Sequence, residues 1–587
     1  MNYSNSEAQF GSDVMADMLR KLNIEYATLN PGASLRGLHD SIVNHLGNNK
    51  PELILCNHEG IAVAMAHGYG KVAGKPMAAM VHNVVGLLHG SMAIYNAWLD
   101  EAPLLVIGGT GPMDAEKRRP WIDWIHTALV QGNAVRDYVK WDDQPSSLSC
   151  VPDSFIRAYQ IATSDPQGPV YVCLDAGLQE TLLTEKVPLP PIERYPNPSP
   201  PQVDTTTIGR VARLLVEATN PVVIADYTGR NPGAVASLVD LAELLALPVI
   251  DVGGRFNFPN THPLDLTGTE GELLKEADVI LALDVHNLFQ YLTTVERDTR
   301  QIDYIVPENC QIVHFALHHS AIKSWSQSYG KLVTIDIPVT ADTAIALPAL
   351  TTVCRELLTE ERSVELQKRA DSLKAKHEAV RKQWQTMAES EQGKSPISIP
   401  WLVKQTWEMV KHEDWALVSQ PFVSMRGWAR RLWDWEKPYQ YVGSADLGCG
   451  MGHSLGAALA HRAEGRLCID FQPDGDLLYT PAALWTAAHH QIPLLVIMNN
   501  NRTYYNTEQH QELIASIRGR PVKNKVIATR IEPPSVDFAG LARDFGLHGV
   551  GPIENPNDLQ PALEEAIKVV KDKKQLALID VVTQPSR

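Results

Sequence analysis

The chain has 587 residues, 44% of them hydrophobic and 20% charged, with a formal net charge of −16. That length suggests roughly three to four domains, and the acidic balance argues against the clustered Lys and Arg of a nucleic-acid-binding protein. The seven cysteines are scattered and form no Cys-x-x-Cys pair, so neither a disulfide framework nor a zinc site is expected. The first thirty residues lack a basic start followed by an apolar stretch, and no run of about 18 apolar residues occurs. A cytoplasmic protein with no membrane partner is the expectation.

Short apolar runs alternate with helix-length amphipathic segments almost throughout, which is the pattern of parallel sheets wrapped by helices. The expected fold is α/β, with three domains that each carry a mainly parallel sheet flanked by helices. The first spans 1–188, with strands at 53–56, 77–82, 103–107 and 170–174. A proline-rich connector follows at 189–203. The second domain spans 204–350, with strands at 221–225, 247–252, 278–283 and 311–316. Residues 351–394 are charged over much of their length and, between 362 and 391, lack Gly and Pro, and they read as a solvent-facing helix joining two domains. The third domain, 395–587, has strands at 415–418, 467–471, 493–498 and 576–581. The first and third domains have similar size and alternation.

Chemistry concentrates in a few stretches. In DGDLLYTPAALWTAAHHQIPLLVIMNNN (474–501) an acidic turn, an amphipathic helix, a buried strand and three asparagines follow one another. An Asp-Gly turn alone is usually only a turn. Here the spacing allows one crossover helix and one returning strand, so Asp474 and Asn501 finish at the same edge of the sheet. Open parallel sheets bind ligands at that edge, and a hard divalent cation takes a carboxylate, an amide oxygen and phosphate oxygens. Far upstream, in LILCNHEGIAVAMAHGYGKVAGKP, Glu59 ends an apolar strand and starts a helix rich in Ala and Gly, where a carboxylate is expected to be partly buried. In GCGMGHSLGAALA (448–460) crowded glycines before a helix allow close backbone approach.

These stretches together resemble the thiamine-diphosphate-dependent enzymes of the acetolactate synthase, pyruvate decarboxylase and benzoylformate decarboxylase group. That group's Gly-Asp-Gly, about 25 residues, then Asn-Asn is matched by Pro473-Asp474-Gly475 and Asn500-Asn501, and AALWTAAHHQIPLLVIMNN resembles benzoylformate decarboxylase. The sequence departs from the pattern at Pro473, where the group has Gly, and at Asp476, where a small hydroxyl residue is usual. The resemblance implies pyrimidine, central and diphosphate domains in that order. It implies Mg²⁺ held by Asp474, Asn501 and the carbonyl of Thr503, and thiamine diphosphate also touched by Gly475, Asp476 and Tyr504. Glu59 would be the acid that bonds the aminopyrimidine and promotes loss of the thiazolium C2 proton. Met451 would prop the cofactor's bent shape, Gly450 would offer a carbonyl, and the Asn30-Pro31-Gly32 turn would lie beside the thiazolium. Glu59 and Asp474 would meet across two chains, implying a homodimer at minimum and a homotetramer by habit of the group.

Substrate choice is read more thinly. His82 corresponds to a pocket histidine of benzoylformate decarboxylase and is the second catalytic candidate, while Ala33 stands where that enzyme has a serine. Asn83, His126, His286, Gln420, Phe422 and Tyr505 are further pocket candidates, with His89 behind them. The central domain shows no Gly-x-Gly-x-x-Gly after a strand; FAD is possible there but an empty domain is favoured. The expected activity is non-oxidative decarboxylation of a 2-oxo acid or related 1,2-dicarbonyl compound. Acetolactate-synthase-type carboligation, C–C hydrolysis of a cyclic diketone, and a catalytically inactive regulatory subunit are the alternatives.

Overall fold

The computed structural model describes residues 7–317, 333–419, 423–443 and 447–585. The first domain folds around a six-stranded parallel sheet of β1 (Tyr26–Leu29), β2 (Glu52–Leu55), β3 (Met77–Val81), β4 (Leu104–Thr110), β5 (Trp141–Asp143) and β6 (Pro169–Asp175), in the order β2-β1-β3-β4-β6-β5. All residues of β3, β4 and β6 are buried. Such strands need continuous apolar runs rather than alternation, which is why they stand out in the sequence and the short β1 and β5 do not.

The central domain contributes β7 (Pro221–Ala225), β8 (Val249–Asp251), β9 (Val279–Leu283), β10 (Thr293–Val295), β11 (Ile302–Tyr304), β12 (Gln311–Phe315) and β13 (Ile337–Val339). Five of them form a parallel sheet in the order β13-β12-β9-β7-β8, and β10 and β11 make a separate antiparallel pair. The 30-residue helix Glu360–Glu389 then joins this domain to the third. At one end Arg362 and Arg369 donate to the carbonyls of Val216, Ala218, Thr219 and Leu245, and further along Arg381 pairs with Asp434 at 2.6 Å. Its charges are therefore partly used as an interdomain fastener.

The third domain holds β14 (Trp415–Leu417), β15 (Leu467–Pro473), β16 (Leu495–Asn500), β17 (His548–Ile553) and β18 (Ala577–Val582), in the parallel order β14-β15-β16-β18-β17. Tyr441 adds a parallel bridge to Leu417 at the outer edge. With that bridge counted as the second strand, the order 2-1-3-4-6-5 is the same in the first and third domains. The helices Glu59–Ala73 and Gly450–His461 then occupy equivalent places, each following the second strand. They pack against each other with backbones almost touching: a Cβ on Gly68 would lie 2.0 Å from the carbonyl oxygen of His453, and one on Gly456 1.9 Å from that of Met65. One continuous apolar cluster runs from Ile54 and the first helix to Met451, Leu455 and Met498. The first and third domains thus share a core. No helix among the described residues is long and apolar enough to cross a membrane.

Candidate functional site

Asp474 follows β15 and opens the short helix Asp474–Leu477. Its carboxylate is only 2% exposed; one oxygen accepts from the backbone N–H of Gly475 at 2.8 Å and the other from that of Arg502 at 2.6 Å. Burial pushes the carboxyl up to about 7 against the opposing pull of these amides, and the nearby Asp580 adds to the rise. Asp580 is itself raised to about 6 by burial. A buried carboxylate next to another, compensated by backbone amides alone, suits a divalent cation that would supply the missing positive charge.

The asparagines after β16 divide their work. Asn499 accepts from the Thr583 hydroxyl, and Asn500 donates to Asp580 at 2.9 Å. Both are therefore committed to the sheet. Asn501 is left at the edge, where its Oδ1 accepts from the backbone N–H of Thr503 at 3.0 Å and keeps a second lone pair. The Thr503 hydroxyl donates to Glu508, which is buried and paired with Arg530 at 2.8 Å. Asp474 and Asn501 thus bring hard oxygen atoms to adjacent turns, of the type a Mg²⁺-like cation takes, and the Thr503 carbonyl is the third ligand that the resemblance implies. Tyr504 lays its ring against Gly475, whose absent Cβ would sit 2.5 Å away. Tyr505 begins the next helix and is half-buried.

Asp476, the departure from the family pattern, proves to be a strap. Its carboxylate accepts from Gly448 N–H at 2.6 Å, from Gly450 N–H at 3.3 Å and from the Gln472 amide at 2.9 Å. The extra charge is thereby spent on holding the glycine loop that leads into Gly450 and the fully buried Met451.

In the first domain Glu59 begins its helix behind the N-cap His58 and is 4% exposed. One oxygen meets His89 Nδ1 at 3.2 Å, and His89 stacks on His58 with ring centroids 5.3 Å apart. Next to Glu59, a Cβ on Gly60 would stand 3.2 Å from Cys449 Sγ, so the amino ends of the two equivalent helices converge within a single chain.

A second cluster lies at the carboxyl ends of β1 and β3. The Asn30-Pro31-Gly32 turn runs against His82, whose ring would clash with any Cβ on Gly32 at 2.4 Å. His82 Nδ1 lies 2.8 Å from the Ser34 hydroxyl, and His126 meets the His82 ring edge-on at 5.2 Å. Burial lowers the His82 pKa, with His126 adding to the effect. Asn83 is buried, donates its N–H to Ser34, and has no partner for its side-chain oxygen among the described residues. The hydroxyl beside this histidine is that of Ser34, one position beyond the exposed Ala33. Sequence reasoning stopped at Ala33 because a residue-by-residue correspondence does not show which of two neighbours a turn will point inward.

His286, the pocket candidate from the central domain, is engaged in an interdomain contact within the chain. It bridges the central and first domains, 2.9 Å from Glu101 and 3.6 Å from Asp226, and these carboxylates raise it to about 10 against the effect of burial. At the same edge of the central sheet Arg230 pairs with Asp284 at 2.7 Å. Gln420 and Phe422 lie outside the described residues.

Models of three domains of the thiamine pyrophosphate enzymes match this chain: the N-terminal TPP-binding domain at residues 10–133, the central domain at 208–350 and the C-terminal TPP-binding domain at 423–581. The chain belongs to the thiamine-pyrophosphate-dependent enzyme family. Among its relatives in that family is the acetolactate synthase isozyme 3 large subunit of Escherichia coli, 25% identical over 595 residues, covering 95% of this chain and 92% of that protein. A probable acetolactate synthase large subunit from Methanocaldococcus jannaschii is 25% identical over 558 residues, covering 91% of this chain and 85% of that protein. The benzoylformate decarboxylase of Polynucleobacter necessarius superimposes with a TM-score of 0.77 at 19% identity, covering 99% of each chain. Family membership makes the first and third domains the N-terminal and C-terminal TPP-binding domains of that family.

Proposed function

We propose that the protein is a thiamine-diphosphate- and Mg²⁺-dependent enzyme that decarboxylates a 2-oxo acid, or a related 1,2-dicarbonyl compound, without oxidation. The observation that carries the reading is the buried Asp474 carboxylate beside Asn501 and the Thr503 carbonyl, in the domain whose Gly450 helix packs on the helix opened by Glu59. When bound, thiamine diphosphate supplies the nucleophilic carbon that adds to the substrate carbonyl and the electron sink for loss of carbon dioxide. Asp474 and Asn501 would hold the metal. Glu59 would exchange a proton with the aminopyrimidine, and its burial would exclude water from the carboxyl. Met451, fully buried, would pack against the cofactor. His82 faces the substrate.

Carboligation of the acetolactate synthase type is the second reading, and it is favoured by the curated relatives. The working unit is proposed to be at least a dimer, with a tetramer in keeping with the family. Trp121, Trp124 and Leu129 are 73%, 75% and 81% exposed, a concentration of apolar surface that commonly marks an interface. The chain is assayed with Mg²⁺ and thiamine diphosphate against pyruvate and benzoylformate, measuring carbon dioxide, aldehyde and acetohydroxy acid. Aldehyde in step with carbon dioxide supports decarboxylation, and consumption of a second carbonyl supports ligation. Cofactor-dependent turnover that survives Glu59→Gln undiminished would overturn the whole reading.

A further inference from the structure

Ser34 has no assigned part in the site, yet its surroundings constrain it closely. It is fully buried, and Gly109 leaves room for it, since a Cβ there would fall 2.5 Å from the Ser34 hydroxyl oxygen. Its own carbonyl accepts from the Gln179 amide at 2.9 Å, which pins the backbone. The hydroxyl oxygen accepts from Asn83 N–H at 3.1 Å and lies 2.8 Å from His82 Nδ1. With an amide N–H already directed at that oxygen, the hydroxyl hydrogen is free to point at the ring nitrogen, and Nδ1 is its partner. A hydroxyl carries one hydrogen, so Nδ1 then holds a lone pair and a neutral imidazole keeps its proton on Nε2.

We propose that Ser34 is a positioning residue that fixes His82 as the neutral Nε2–H tautomer, so that His82 meets the substrate as a hydrogen-bond donor. This rests on the thiamine-diphosphate reading only for the identity of the substrate. The groups that bear on the ring agree on balance with a neutral state: burial and then His126, edge-on at 5.2 Å, disfavour a positive charge, buried Glu59 pulls the other way, and Arg119 adds a smaller effect against the charge. No hydrogen-bond partner for Nε2 occurs among the described residues, which leaves that N–H for a carbonyl or carboxylate oxygen of the substrate. Ser34 also ties two strand ends together, because it sits after β1 while His82 and Asn83 follow β3. A tautomer held this way leaves little room for proton uptake at Nδ1, since the hydroxyl would first have to turn its hydrogen away.

The test uses the full chain loaded with Mg²⁺ and thiamine diphosphate, and compares wild type, Ser34→Ala, His82→Gln, His82→Ala and the Ser34→Ala/His82→Ala double variant. Gln places an amide N–H near the position of Nε2 and does not titrate. Ser34→Ala should lower kcat about tenfold, as for loss of one neutral hydrogen bond, with KM little changed, and should move the acidic limb of the pH profile upward because Nδ1 becomes free to take a proton. His82→Gln should stay faster than His82→Ala and lose that limb. The double variant should be no slower than His82→Ala. Multiplying losses in the double variant, or a Ser34→Ala profile identical to wild type, overturns the proposal. ¹⁵N resonances of histidine-labelled protein, with His82 assigned by its absence in His82→Gln, read the tautomer without any turnover. A protonated Nδ1 in wild type also overturns it, whereas a wild type that shows the Nε2–H form but no cofactor-dependent turnover rejects the proposed function and leaves this inference standing.

Discussion

Replacing Asp474 by Asn should make the cofactor-free protein more stable at pH 8 than wild type while abolishing its response to Mg²⁺. In the unfolded chain this carboxyl ionises near 3.8, and in the folded protein near 7. The folded state therefore binds the proton more tightly, and stability falls as pH rises between those two values. The full displacement corresponds to about 4 kcal/mol at 1.4 kcal/mol per pH unit, of which about 3 kcal/mol accumulates between pH 5 and pH 8. Asn carries no charge to desolvate. It does turn an N–H toward one of the two backbone donors, Gly475 or Arg502, at a cost of about 1–3 kcal/mol. At pH 5, where the wild-type carboxyl is mostly protonated, that cost dominates and the variant should be the less stable protein. At pH 8 the balance should reverse. Urea unfolding of the apo proteins at the two pH values reads the difference directly, with Mg²⁺ titrations alongside. A stability difference between variant and wild type that is the same at pH 5 and pH 8 would refute the account of Asp474 as a buried charge awaiting a cation.

Two further outcomes follow from the domain contacts. His286→Ala should destabilise by on the order of 3–5 kcal/mol, because Glu101 and Asp226 lose their shared cation. The raised pKa of His286, about 10, makes this contribution fully present below 6.5 and lost as pH rises through 10, so thermal unfolding of variant and wild type should converge near pH 10 to 11. Gly456→Ala drives a methyl group into the Met65 carbonyl and should cost at least the 1–3 kcal/mol typical of overpacking, seen as a fall in melting temperature. An unchanged melting point would mean that the two helices can part without cost.

The legible parts of the fold were those whose chemistry is continuous along the chain. Strands such as β4, β6 and β16 are buried throughout and apolar over most of their length because both faces are covered, and the apolar runs mark them to within a few residues. β1, β5 and β13 are three or four residues long, and β17 reads HGVGPI with mixed burial, so no periodicity marks them. In the site, Asp474, Asn501 and Glu59 were legible from spacing and resemblance because their positions at strand ends are set by local sequence. Which of three asparagines was left over could be read only from their partners Thr583 and Asp580, more than 75 residues away. The same holds for Asp476, whose partners lie in the glycine loop 26 and 28 residues back, and for His286, which answers to carboxylates on two domains.

The contact between the Glu59–Ala73 and Gly450–His461 helices sets a mechanical limit on the enzyme. Side chains between packed helices can exchange rotamers and let the helices slide, but where Gly68 and Gly456 bring carbonyl oxygens against the opposite backbone no such compliant layer exists. Within one chain Glu59, the proposed acid, and Asp474, the proposed metal ligand, are carried on one stiff body. Within one chain the first and third domains are then not expected to part like a hinge, and motion around a site shared by two chains would have to arise elsewhere.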